Sequence, residues 1–310
     1  MKNLAVSSQV YVMIKTRHII YSVFTIAMVA LLSGCKMLVL DPKGSIAADE
    51  KTLLITALIL LLIIVVPVIV LTFIIAYKYR ASNKEAKYTP DWCHNNKLEA
   101  AWWIAPIIIC GILGVIIWIS THKLDPYKPL VSTVKPVEVQ VVSLQWRWLF
   151  IYPQEGIATI NYLKLPVDTP INFSLTADSP MNSFQIPQLG GQIYTMSGMK
   201  TQLHLIANHI GTYSGRSVSF SGKGFLRMIF NTHVTSKADF DKWTKEMKER
   251  RGKLTLETYK KLVEPNTDDS IMYYSSVRKG LFNTIMMQYM NPETYKLLNG
   301  HSTSKHIQYK

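Results

Sequence analysis

Cysteine is scarce in this sequence: there are three among 310 residues, Cys35, Cys93 and Cys110, and none after position 110. Residues 135–310 therefore cannot close an internal disulfide and cannot offer a thiolate to a metal. Acidic residues are few as well, 20 against 34 Lys and Arg, for a net charge of +14. The excess is dispersed, with +8 over residues 135–310, which makes a mildly basic, solvated surface and no stripe for nucleic acid. Catalytic patterns are missing too. There is no HExxH, no nucleophile elbow and no phosphate-cradling glycine loop, and His204, His209, His233, His301 and His306 lack metal-ligand spacing. His204 sits in an alternating stretch and reads as an ordinary strand residue. By these signs the chain on its own is non-catalytic and carries no metal.

What is plentiful is uncharged apolar sequence. Residues 53–77 and 101–120 are runs of 25 and 20 residues without a charge; at ~1.5 Å rise per residue, each can cross a hydrocarbon core of about 30 Å. Runs of this length in an otherwise polar chain point to a transmembrane hairpin and away from a buried helix pair. The connecting residues 78–100 carry Lys78, Arg80, Lys84, Lys87 and Lys97 against Glu85, Asp91 and Glu99. The positive-inside bias makes this loop cytoplasmic and places both flanks outside. Tyr77, Trp92, Trp102 and Trp103 gather at that inner end and Trp118 near the other, as amphipathic rings do at headgroup level.

Ahead of the hairpin, Lys2, Lys15, Arg17 and His18 precede an apolar run that ends in Leu32-Ser33-Gly34-Cys35. This is the layout of a lipoprotein signal peptide over residues 1–34, with Cys35 as the lipid-bearing new N-terminus. An uncleaved signal anchor is the other reading, and Met13 is an alternative start. Residues 35–52 form a short outer segment, with a turn expected at Asp41-Pro42-Lys43-Gly44. Beyond the hairpin, Pro126, Pro129 and Pro136 stiffen a linker over residues 121–136.

Over residues 137–235 the period changes. Val137, Val139 and Val141 alternate with polar neighbours, as do Ile171, Phe173 and Leu175, which predicts an antiparallel β-sandwich or barrel. Residues 236–310 read as a helical C-terminal extension: one helix from a Ser236 cap through Arg250, a second over residues 255–263, a third over residues 275–290. The third presents Leu281, Phe282, Ile285, Met286 and Tyr289 at helical spacing, to its own domain or to a partner. The fold class is thus a membrane-anchored α+β protein. Glu99, at the start of the second span, has two readings: a first-turn carboxylate favoured by the helix dipole, or a proton entry point.

Three stretches in order carry a resemblance: the hairpin with Glu99 entering its second helix, the aromatic string Gln145-Trp146-Arg147-Trp148-Leu149-Phe150-Ile151-Tyr152, and Asn182-Ser183-Phe184-Gln185-Ile186-Pro187-Gln188-Leu189-Gly190. With the lipoprotein-type signal they make the chain resemble subunit II of haem-copper terminal oxidases over nearly its whole length. The resemblance implies a cupredoxin-like outer domain. Copper-bearing members hold a binuclear centre with a His ahead of the Ser-Phe stretch and a Cys-x-Glu-x-Cys-x3-His-x2-Met loop. Those positions fall on Asn182, Ser217, Ser219, Ser221 and Phe225, and only Met228 is retained. Serine hydroxyls do not ionise near neutral pH to replace thiolate ligands.

That departure resembles the copper-free, cytochrome bo-type quinol oxidase branch, with its lipidated (palmitate-bearing) N-terminus and helical extension. It implies no cofactor in this chain, haems and copper in subunit I, and subunits I, III and IV as partners. Electrons would come from a membrane quinol and not from cytochrome c, at a bacterial inner membrane with the outer domain periplasmic. The family places a carboxylate corresponding to Glu99 near a proton-channel mouth. Trp146 and Trp148, on the electron path of copper-bearing relatives, are expected to pack, as is Tyr152. Two other readings stay open, a copper-bearing cytochrome c oxidase subunit and a free-standing membrane lipoprotein; two spans beyond a lipid anchor speak for a membrane partner instead.

Overall fold

A computed structural model describes residues 37–87, 89–92, 94–265, 270–291 and 296. The signal peptide over 1–34, Cys35 and the tail from 297 lie outside the described residues. The described residues from 41 onward form one compact unit; ahead of them a short 3-10 turn at Leu38–Leu40 is described.

Helices α1 (Ser45–Lys78) and α2 (Asn96–Lys123) are both longer than the apolar runs within them. The polar residues 45–52, read as an outer segment, add two turns to α1. Its start has no side-chain cap; instead the Ala47 N–H donates to Leu189 O at 3.3 Å, so the sandwich satisfies one of the orphan donors of the first turn. The turn expected at residues 41–44 is absent. Lys43 N–H donates to Gln188 O at 2.7 Å and Lys43 O accepts from Asn208 N–H at 2.8 Å, which holds this segment extended between two loops of the sandwich. A Cβ on Gly44 would lie 2.4 Å from Ile206 O, so only glycine fits the slot.

The helices run antiparallel, with Lys123 ion-paired to Asp49 at 2.8 Å across the ends nearest the sandwich. Ala47 and Ile109 are their only buried residues. So much exposed apolar surface excludes the core helix pair of a soluble protein and requires lipid around it. The chain is membrane-anchored.

Ten strands follow: β1 (Val137–Ser143), β2 (Trp148–Tyr152), β3 (Ile157–Ile160), β4 (Tyr162–Pro166), β5 (Pro170–Ala177), β6 (Asn182–Gln185), β7 (Gln192–Thr195), β8 (Thr201–Ile206), β9 (Gly211–Ser217) and β10 (Ile229–Thr235). After α3 (Lys237–Glu249) come β11 (Lys253–Leu254), α4 (Leu256–Val263), β12 (Met272–Tyr274), β13 (Ser276–Val277) and α5 (Leu281–Met287). One sheet runs β12-β3-β2-β1-β5-β8, the facing sheet β4-β10-β9-β6-β7, and β11 pairs with β13. The sandwich is not purely antiparallel. β1 pairs with β5, and β4 with β10, in parallel, because the intervening strands return the chain in its original direction before it pairs.

The two sheets enclose an aromatic core of Trp148, Phe150, Tyr152, Phe173, Phe184 and Phe230. β2 explains the aromatic string. Trp148, Phe150 and Tyr152 face this core, while Leu149 and Ile151 face a second cluster with Tyr259, Leu262, Leu281, Phe282 and Ile285 from the extension. A strand buried on both faces reads as a continuous apolar run.

The extension is therefore the third layer of the outer domain. Ser236 Oγ accepts from Asp239 N–H at 3.1 Å and Thr255 Oγ1 from Thr258 N–H at 3.2 Å, capping α3 and α4 as their sequences predict. The third helix is corrected from residues 275–290 to the seven residues of α5. Ser276–Val277 instead pairs with β11, and Gly280, at φ 74°, admits a left-handed turn that precedes α5. Leu281, Phe282 and Ile285 are buried on their own domain.

Candidate functional site

The loop from Ser217 to Met228, between β9 and β10, is the most constrained surface of the sandwich. Two indoles hold it from beneath. Trp146 takes a positive φ of 68°, costly for a bulky residue, and donates its Nε1–H to Ser221 O at 3.0 Å. Gly224 packs on the same ring: a Cβ there would sit 2.3 Å from Trp146 Cγ. Trp148 donates Nε1–H toward Met228 O at 3.4 Å. Both tryptophans thus pack, and both also pin this loop.

Within the cradle, the Ser217 hydroxyl donates to Asn182 Oδ1 at 3.1 Å. Asn182 Nδ2 donates to Pro180 O at 2.9 Å and to Ser179 Oγ at 3.1 Å. Ser217 N–H donates to Met228 O and Val218 N–H to Ser183 O, each at 3.1 Å. Asn182, Ser217 and Met228 are buried, whereas Ser219, Ser221 and Phe225 are half-buried. Structure thus brings Asn182 and Ser217 into direct contact and sets Met228 against Ser217 through the backbone. Phe225 turns instead to Phe220, ring centroids 5.6 Å apart.

Chemically these are neutral groups: Asn182 and Ser217 satisfy each other, the Ser221 hydroxyl is buried without a partner among the described residues, and no thiolate or imidazole is present to donate to a soft metal. These residues do not fit copper. Among the described residues no three His, Cys, Asp or Glu side chains gather as a metal site. His204 lies in β8 with Nδ1 2.9 Å from Pro126 O; a carbonyl only accepts, so Nδ1 carries the proton. His233 stacks on Tyr162 at 4.8 Å, and burial holds its imidazole below the usual histidine value.

The second candidate is Glu99, in the first turn of α2. Asn95 caps that turn, accepting from Lys97 and Leu98 N–H, both at 3.1 Å. His94 Nδ1 lies 2.9 Å from Glu99 Oε1. Sequence reasoning does not single out Asn95 or His94, although an Asn directly before an apolar helix is itself a cap signal.

A model of the COX Aromatic Rich Motif matches residues 248–293, the part of the extension that forms the third layer. Cytochrome bo(3) ubiquinol oxidase subunit 2 of Pseudomonas aeruginosa is 52% identical over 265 residues, 86% of this chain and 80% of that protein. Ubiquinol oxidase subunit 2 of Acetobacter aceti is 46% identical over 280 residues, 90% of each. Among solved structures, the periplasmic domain of subunit II of cytochrome oxidase from Bradyrhizobium japonicum matches at 20% identity with a TM-score of 0.36, covering 38% of this chain and 96% of that one.

At 46–52% identity over most of both chains, these relatives define the class: subunit 2 of a quinol oxidase. Within it, the chain belongs to the ubiquinol oxidase subunit 2 family.

Proposed function

We propose that this chain is the non-catalytic subunit II of a proton-translocating oxidase that takes electrons from a membrane quinol and reduces oxygen to water. The observation that carries the reading is the hydrogen-bonded pair Asn182–Ser217 in place of two metal ligands. With Ser219, Ser221 and Phe225 also replaced and Met228 alone kept, these positions are the remnant of a copper site. Electron entry through this domain from cytochrome c then has no acceptor, and the donor must reach the partner directly. The partners are subunit I, which carries the haems and the copper, with subunits III and IV.

The same reading has the signal peptide removed after residue 34, Cys35 lipidated, the loop over residues 78–100 cytoplasmic, and the outer domain periplasmic at a bacterial inner membrane. Residues 121–136 link the anchor to the copper-free domain of residues 137–235, which the extension of residues 236–310 backs. Support comes from the charge bias of the loop and the antiparallel hairpin. The test is oxygen uptake by the complex purified on a tag after Lys310. Uptake driven by quinol and not by reduced cytochrome c is expected, with no copper bound by this chain. Cytochrome c-driven uptake would point to a copper-bearing subunit, and absence of any haem subunit to a free-standing lipoprotein.

Glu99 serves in this reading as a proton entry point at the cytoplasmic edge, with His94 as its hydrogen-bond partner. Glu99→Ala is expected to slow turnover roughly 100-fold or more, the lower end of what a proton-transfer group contributes, with haem content unchanged. Full turnover in that variant would return Glu99 to a plain helix-terminus carboxylate.

A further inference from the structure

At the outer ends of α1 and α2, where they meet the sandwich, lies a cavity of about 170 Å³. Its walls are Ile46 and Glu50 of α1, residues 123–126 and 128–131 at and after the end of α2, and Gly191, Leu203 and His204 of the sandwich. The His204–Pro126 hydrogen bond, 2.9 Å, ties the linker wall to β8, so the cavity is built into the fold. Most of the lining is aliphatic or proline. Its charged groups are of both signs. Asp49 already takes the Lys123 ammonium, and Asp125 turns its Oδ1 to the Tyr127 backbone N–H at 2.9 Å, so that Glu50, Asp125 and Lys128 are the lining charges with no ion pair among the described residues. Glu50 is partly buried and accepts a hydrogen bond from the Gly191 backbone.

The depth of the cavity is set by the helices. Glu50 lies three residues before the uncharged run that begins at Leu53, and Lys123 three residues after the run that ends at Ser120. At 1.5 Å per residue that is about 4–5 Å beyond the hydrocarbon edge, inside the headgroup layer. A carboxylate and an ammonium, each lacking a partner, at headgroup depth beside aliphatic walls complement a zwitterionic lipid.

We propose that this cavity binds the headgroup of a phosphatidylethanolamine-type phospholipid, with its primary ammonium on Glu50 and its phosphate toward Lys128. A primary ammonium donates hydrogen bonds to a carboxylate, which a trimethylammonium cannot. Choline recognition uses the faces of Trp, Tyr and Phe, and none of these lines this cavity. Phosphatidylglycerol would bring an anion to Glu50 with nothing to neutralise it. The volume, equal to about five or six water shares, also favours the smaller headgroup. The site rests on the transmembrane reading of α1 and α2.

The test is lipid retention by the whole complex in nanodiscs of phosphatidylcholine containing a minor share of either phosphatidylethanolamine or phosphatidylglycerol, counted by native mass spectrometry. One phosphatidylethanolamine per copy of this chain is expected to remain on the wild-type complex. Glu50→Gln, which keeps an acceptor for Gly191, is expected to weaken that retention on the order of 10-fold, the weight of one charge-assisted hydrogen bond. Lys128→Gln, at an exposed position, is expected to weaken it too and guards against a folding defect in the first variant. Unchanged retention in both variants, preferential retention of phosphatidylglycerol, or no retained lipid would overturn the site. Failure of the wild-type chain to enter the nanodisc at all would overturn the transmembrane reading and the site with it.

Discussion

Replacing Phe184 with alanine is expected to lower the unfolding free energy of the outer domain by about 3–5 kcal/mol. Phe184 is fully buried on β6. Its ring stacks on Phe230 at 5.2 Å and meets Trp148 edge-on at 5.3 Å and Phe173 at 5.5 Å. Removing it forfeits burial of a large apolar side chain and the aromatic pairings around it, and leaves a cavity that these rigid rings cannot collapse into. The neighbouring backbone feels the loss, since Phe184 registers opposite Ser217 of β9 and Asn182 is two residues away. Urea unfolding of the full chain, followed by tryptophan fluorescence, measures the effect. A loss under about 1 kcal/mol would mean that the cluster is not close-packed.

The second large effect belongs to Asp178, just past β5. Its carboxylate accepts from the hydroxyls of Tyr259 and Tyr289 and from Gln288 Nε2, the last at 2.7 Å. These donors lie on α4 and on the segment after α5, so a single side chain of the sandwich holds two parts of the third layer. Asp178→Ala strands the buried Tyr259 hydroxyl and removes an acceptor from the other two, at a cost of about 2–4 kcal/mol. Release of the extension to protease at lower denaturant concentration would report it. Asp178→Asn keeps one acceptor oxygen and offers an N–H to Tyr259, so it is expected to cost less. Equal loss in both variants would show that acceptor geometry is not what matters.

The same residue has a pH signature. Burial, the dominant influence, pushes the Asp178 carboxyl above the ordinary aspartate range, while its three donors pull it partly back. A folded-state value above the unfolded one means that the folded state binds the proton more tightly. Its contribution to stability is therefore fully present below the ordinary aspartate value and is lost as pH rises through the folded value. Asp178→Asn is expected to flatten stability against pH over that window, and an unchanged slope would sink the assignment.

Much of this molecule was legible along the chain. The apolar runs at 53–77 and 101–120, the alternation that starts at Val137, and the caps Ser236 and Thr255 all report local chemistry, whose signals repeat within a few residues. So did the departures at Asn182, Ser217 and Ser221, since a side chain that cannot ligate announces itself by type alone. Errors arose where distant parts meet. Residues 41–44 look like a turn, but Gln188 and Asn208 hold them straight. Residues 275–290 show helical spacing, but β11 pairs with Ser276–Val277, and Gly280 delays the helix.

Local residue chemistry, then, decided that the chain carries two apolar helices that anchor it to a membrane and that the part beyond them is built of strands, because charge, period and side-chain type act over short range. Only the tertiary structure decided that β2 is buried on both faces, that Asn182 and Ser217 close on each other, and that Asp178 gathers Tyr259, Gln288 and Tyr289. Those outcomes join residues 35 to 111 positions apart, and contacts at that separation depend on which strands lie side by side, which no local pattern encodes.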